Sequence, residues 1–172
     1  METMNAIAHR TSVRAYRPEQ ISEQALQAIL NAGCAAPVGM AQYDTLRITV
    51  LQDQALLGQI SNTVRENMQF DTDPLYGAPT LILISSQTPM GPGMDYANAA
   101  CVMENMLVAA ADLDVGSVIV WGSAIAVEAS NGLKKALGIP EGFHPVMGAV
   151  FGLAQGEVRD KALGQTIHMD RV

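Results

Sequence analysis

Disulfide chemistry has little to work with here: the 172 residues hold two cysteines, Cys34 and Cys101, far apart in the chain. That excludes a disulfide framework and a cysteine-based metal knuckle, and it fits a reducing cytoplasm. Basic residues are scarce, ten Lys and Arg against seventeen Asp and Glu, and the pI is near 4.8. A general nucleic-acid binder or a protein drawn to anionic membranes is therefore not expected. No apolar run reaches the roughly 18 residues of a membrane span before Asp, Glu or Gly breaks it. The N-terminus lacks a basic region leading into an apolar core, so no signal peptide is expected. His9, His144 and His168 stand alone, without partners at metal spacing, and no metal site is expected. Aromatics make up only 5% of the chain, with a single Trp.

What remains is an aliphatic chain. Apolar residues reach 49% and charged ones only 16%, with a mean hydropathy of +0.16. The core must be built from Ala, Val, Leu, Ile and the ten Met. That is more apolar surface than a monomer of this size usually buries, so an obligate oligomer is expected. The length fits one domain spanning residues 1–172. No internal repeat, low-complexity tract or linker interrupts it.

The stretch His9-Arg10-Thr11-Ser12-Val13-Arg14-Ala15-Tyr16-Arg17 gathers three arginines and two hydroxyls in an acidic protein. Guanidinium forks donate paired hydrogen bonds to phosphate, and hydroxyls add neutral donors. An anion site is one reading, and a solvated turn with ordinary surface charges is the other. Arg159, Lys161 and Arg171 form a second basic cluster in the polar tail 155–172, a hint that both ends converge on one anion.

Periodicity and turn residues divide the rest. A short helix is expected over 3–9 and a second from Ser22, its N-cap, to about Ala35 before Pro37. A loop over 36–44, a strand over 46–51 and a helix over 54–68 follow. An irregular stretch, 69–76, precedes a continuous apolar run, 80–85, of the kind that is buried on both faces. Residues 88–94 read as a loop whose Gly-Pro-Gly is no nucleotide fingerprint. Asp95 is expected to cap the longest helix, apolar almost all round and therefore central, running to about Leu113. Asn105 in its middle needs a partner if buried. A third strand is expected over 115–122, a helix over 128–137 ended by Gly138 and Pro140, and a fourth strand over 145–153.

These parts, in this order, resemble the FMN-dependent nitroreductase family over nearly the whole chain. Arg10-Thr11-Ser12-Val13-Arg14, with Tyr16 after it, is similar to the family's N-terminal Arg-x-Ser motif. Ala35-Ala36-Pro37 resembles its Ala-Pro-Ser loop. The helix from Asp95 through Asn105 to Leu113, followed by Val115-Gly116-Ser117-Val118-Ile119-Val120-Trp121-Gly122, resembles its core helix and Gly-rich strand. Leu137-Gly138-Ile139-Pro140-Glu141-Gly142-Phe143 resembles its Leu-Gly-Ile-Pro-Glu-Gly segment. The stretch Val38–Asp44 departs from the family text, which continues with an Asn and a Pro-Trp absent here.

The resemblance implies an α+β fold, a mostly antiparallel sheet flanked by helices, in an intertwined homodimer with FMN at the interface. It implies cofactor contacts from Arg10 and Arg14 to the FMN phosphate and the flavin's polar edge, from Thr11, from Ser12 to the ribityl chain or phosphate, from Pro37, Val38 and Gly39, from Val120, Trp121 and Gly122 near flavin N5, and from Arg159 and Lys161 at the phosphate. It implies NADH or NADPH as donor and a small-molecule acceptor, a nitroaromatic, quinone or similar, in ping-pong turnover. No catalytic side chain is required, because the flavin carries the chemistry. A flavin reservoir or sensor without turnover is the alternative. A specialised flavin reaction such as dehalogenation, and a purely structural dimer, rank below both.

Overall fold

The computed structural model describes residues 1–87, 91–164 and 166–172. Its centre is a four-stranded sheet, β1 (Leu46–Leu51), β2 (Thr80–Ser86), β3 (Gly116–Ile119) and β4 (His144–Gly152), in the order β1-β2-β4-β3. Every neighbouring pair is antiparallel. All of β2 is buried, as its unbroken apolar run requires. Leu81 and Leu83 face one core, and Ile82 and Ile84 face the other.

Helices cover both faces. α2 (Glu23–Cys34) and α4 (Met94–Asp112) pack on the Ile82 side, where Ile29, Met103, Met106 and Phe151 are fully buried. α3 (Gln54–Met68), α5 (Trp121–Glu128) and α6 (Asn131–Ala136) cover the Leu83 side. α1 (Thr3–His9) lies against α4. Ser22 caps α2 by accepting from Ala25 N–H at 3.2 Å. Asn105 donates to the Ala32 carbonyl at 3.1 Å, tying α4 to the last turn of α2.

Three expectations need correction. The strand expected over 115–122 ends at Ile119, and Trp121 opens a helix instead. The cause is close packing: Val120 N–H donates to the Gly148 carbonyl at 2.8 Å, and a Cβ at Gly148 would collide with Leu83 Cδ2 at 2.9 Å and the Ser123 hydroxyl. A bare position on β4 lets α5 settle onto the sheet. The helix expected over 128–137 is α6 alone, shorter and beginning only after Ser130, which accepts from Leu133 N–H at 3.2 Å, because α5 already occupies the chain up to Glu128. Asp95 does not cap α4. Gly93, at φ 77, is the N-cap, and Asp95 sits in the first turn, favourably placed for the helix dipole. The loop expected over 88–94 lies partly outside the described residues. Among the described residues, no helix is long and apolar enough to cross a membrane.

Candidate functional site

After α1 the chain runs extended and joins the sheet's far edge. Ser12 bridges Ser117 of β3 in parallel, and Val13 N–H donates to the Ser117 carbonyl at 3.1 Å. Beyond it, Tyr16 bridges Ala154, Arg17 N–H donates to Leu153 O at 2.8 Å, and Gln155 N–H donates to Ala15 O at 3.0 Å. The basic stretch is therefore held between β3 and the start of the tail. Tyr16 is buried, and its hydroxyl donates to the Val13 carbonyl at 2.9 Å. Burial, assisted by Tyr76, pushes the Tyr16 phenol well above its usual range, so it remains a donor.

This threading opens a cleft of about 380 Å³ lined by Thr11, Ser12, Arg14, Gly156, Glu157 and Arg159, among others. Two guanidiniums and two hydroxyls from opposite ends of the chain meet there. Arg14 spends one contact on the Ser12 carbonyl, at 3.4 Å. Arg159 donates twice to one oxygen of Glu157, each at 3.2 Å. Both residues of that pair are largely exposed, so the pair is weak and a stronger anion can replace the carboxylate. The donor set fits a phosphate.

Two of the expected basic residues do not line this cleft. Arg10 points its Nε at Glu104 of α4, at 3.6 Å, and lines a narrow crevice with His9 and Asp114 instead. Lys161 is exposed and outside the cleft lining, and its N–H donates to the Ala8 carbonyl at 3.0 Å.

Of the remaining expected residues, Gly39 and Trp121 meet side chains of α4. Gly39 N–H donates to Asn98 Oδ1 at 3.0 Å, which fixes the loop that holds Pro37 and Val38. Met40 and Ala41, next in that loop, both have left-handed backbones, at φ 56 and 55. Trp121 is 52% exposed rather than packed in the core. Its ring lies 5.9 Å from Tyr96, tilted by 39°. Gly122 packs on α3, where a Cβ would meet Val64 Cγ1 at 2.9 Å. No side chain caps the first N–H groups of α5, so Trp121 and Gly122 sit at a helix terminus with donors to spare. Asn98 and Tyr96 were not singled out from the sequence; they lie a turn or less from Asp95 on the helix expected to be central.

A larger cavity, about 480 Å³, is lined by Gly33, Cys34, Val38, Tyr43, Arg47 and Val102, among others. Arg47 is its one basic residue, and that guanidinium stacks over Phe143 at 5.5 Å. It lacks the converging donors of the first cleft. Among the described residues, no group of three or more His, Cys, Asp or Glu could hold a metal.

Comparison with known proteins gives a consistent picture. The model of the Nitroreductase family matches residues 7–153. An FMN-bound nitroreductase from Bacteroides fragilis is 27% identical, with a TM-score of 0.84, over 99% of this chain and 100% of that one. An FMN-bound nitroreductase from Desulfitobacterium hafniense is 22% identical, with a TM-score of 0.86, over 99% of each chain. The NADPH:FMN oxidoreductase from Vibrio harveyi complexed with NAD+ is 16% identical, with a TM-score of 0.77, over 99% of this chain and 77% of that one. No curated protein sequence matches.

Proposed function

The chain belongs to the nitroreductase family, and from that premise we propose that it is an FMN-dependent NAD(P)H oxidoreductase acting on small electron acceptors. The observation that carries the reading is the cleft where Thr11, Ser12 and Arg14 meet Arg159 across the edge of the sheet. A flavin phosphate carries about two negative charges at neutral pH, and charge-assisted bonds from two guanidiniums suit it. FMN, when bound, supplies the hydride chemistry, taking hydride from a nicotinamide and passing electrons to an acceptor in alternation.

The chain's own residues bind and orient. Arg14, Arg159, Thr11 and Ser12 hold the phosphate end. The uncapped start of α5 at Trp121 and Gly122 offers backbone N–H groups and the positive end of a helix dipole to the ring's polar edge. Pro37, Val38 and Gly39, whose loop is anchored through Asn98, would supply further contacts to the bound flavin. The half-exposed pair Tyr96 and Trp121 presents aromatic surface to a planar acceptor such as a nitroaromatic or quinone. Exposed Ile119, Ile125, Leu163, Ile167 and Met169 are apolar surface that a second copy would cover, which supports a homodimer. Two free, exposed cysteines fit work in a reducing cytoplasm.

The test is an absorption spectrum of the purified protein followed by anaerobic NADH and then NADPH. Flavin bands that bleach support the oxidoreductase reading and name the donor. Bands that persist with both donors favour flavin binding without turnover, which the divergent Val38–Asp44 loop would explain. A colourless protein that takes up no FMN overturns the proposal.

A further inference from the structure

We propose that His9 is a positioning residue: it clasps the C-terminal tail to the body and so sets Arg159 in the cleft. The inference rests on the reading that this cleft takes the FMN phosphate. His9 ends α1, with its side chain only 19% exposed. Its Nδ1 lies 2.7 Å from Asp160 Oδ1, and its Nε2 lies 3.4 Å from Asp114 Oδ1. Asp114 is itself held at φ 55 in the turn between α4 and β3. The imidazole thus joins three segments: the end of α1, the α4–β3 turn and the tail.

The backbone repeats the contact. Lys161 N–H donates to Ala8 O at 3.0 Å, and Gln155 N–H donates to Ala15 O at 3.0 Å. Residues 156–160 therefore form an arch pinned at both ends against the basic stretch, and Glu157 and Arg159 ride on it. The described residues of the tail beyond Gln155 form no helix or strand that would hold the arch by itself. Among the described residues, the hydrogen bonds of the Arg159 side chain go to Glu157, which belongs to the same arch. A side chain this long loses considerable rotamer freedom when it binds, and anchoring its backbone beforehand lowers that cost. Arg10, Arg14, Arg17, Arg159 and Lys161 are cations near this site, and none of them pairs with Asp160 among the described residues.

The experiment compares FMN with riboflavin, which lacks the phosphate. Dissociation constants for both are measured by flavin fluorescence on the full chain stripped of flavin, for the wild type, His9→Ala, Asp160→Ala and the double variant. The expected result is an FMN affinity lowered about three- to fivefold, the scale of one partly exposed hydrogen bond, equally in both single variants and in the double. Riboflavin affinity should not change. Equal losses for both flavins would assign His9 a merely structural role, and no loss for FMN would remove the clasp. A wild type that binds no FMN would overturn the cleft reading itself, and the clasp with it. Should His9→Ala fail to fold, Asp160→Ala, at an exposed tail position, carries the same comparison.

Discussion

Asn98 Oδ1 accepts a hydrogen bond from Gly39 N–H at 3.0 Å, across 59 residues of chain. That single contact fixes a loop whose next two residues, Met40 and Ala41, have left-handed backbones that side chains disfavour. Asn98 is 9% exposed, and removing it takes the acceptor from a part-buried Gly39 N–H. Asn98→Ala should cost about 1–2 kcal/mol and make the loop more susceptible to protease. Denaturant unfolding together with limited proteolysis checks both. Unchanged cleavage in the loop would show that Asn98 does not hold it.

Gly148 should tolerate no side chain. An added methyl would meet Leu83 and the Ser123 hydroxyl, and the Val120 carbonyl at 3.3 Å, on a face where α5 rests on β4. Gly148→Ala is expected to destabilise by about 1–3 kcal/mol, the usual cost of overpacking, and to loosen Trp121 through α5. Thermal unfolding reads the first effect. The emission of Trp121, the chain's single tryptophan, reads the second. A neutral Gly148→Ala would mean that α5 is not seated as closely as described.

Glu157 competes for the cleft. Its carboxylate accepts twice from Arg159, and an incoming phosphate must displace it. Glu157→Gln removes the competing charge, so FMN should bind about twofold to fivefold tighter, an effect that fades as salt screens exposed charges. Titrations at low and high ionic strength check this. Weaker binding in the Gln variant would mean that Glu157 assists the ligand rather than competes with it.

Trp121 offers a probe of the other end of the site. It is half-exposed beside Tyr96, so FMN bound with its ring near α5 should quench tryptophan emission. Riboflavin should quench it to a similar final level. Emission that is indifferent to saturating FMN would place the ring elsewhere.

Much of this architecture is legible from residues 1 to 86, and less from the segment around Trp121. Helices α1, α2 and α3 announce themselves by helical spacing, and α2 also by Ser22 at its start and Pro37 shortly after its end. The unbroken run Leu81-Ile82-Leu83-Ile84 can only be a strand covered on both faces. The segment Val118-Ile119-Val120-Trp121 also has strand propensity throughout, and no capping side chain marks the start of α5. What stops the strand is Gly148, thirty residues later in sequence. Ser130 caps α6, two residues past the start expected from the spacing. The basic stretch was visible, but its division was not. Arg10 still belongs to the end of α1 and turns to Glu104, while Thr11, Ser12 and Arg14 face the cleft. Neighbours in sequence separate here because the backbone changes from helix to extended between them.

The central claim is that the cleft between residues 11–14 and 156–159 holds the phosphate of FMN, and the most direct test is FMN affinity in Arg14→Ala and Arg10→Ala. The account predicts that Arg14→Ala weakens FMN about tenfold or more, as loss of a charge-assisted contact should, while riboflavin affinity holds. Arg10→Ala, which loses a guanidinium committed to Glu104, should weaken FMN less. An Arg14→Ala variant that binds FMN as tightly as the wild type, or an Arg10→Ala variant that alone loses it, would contradict the account.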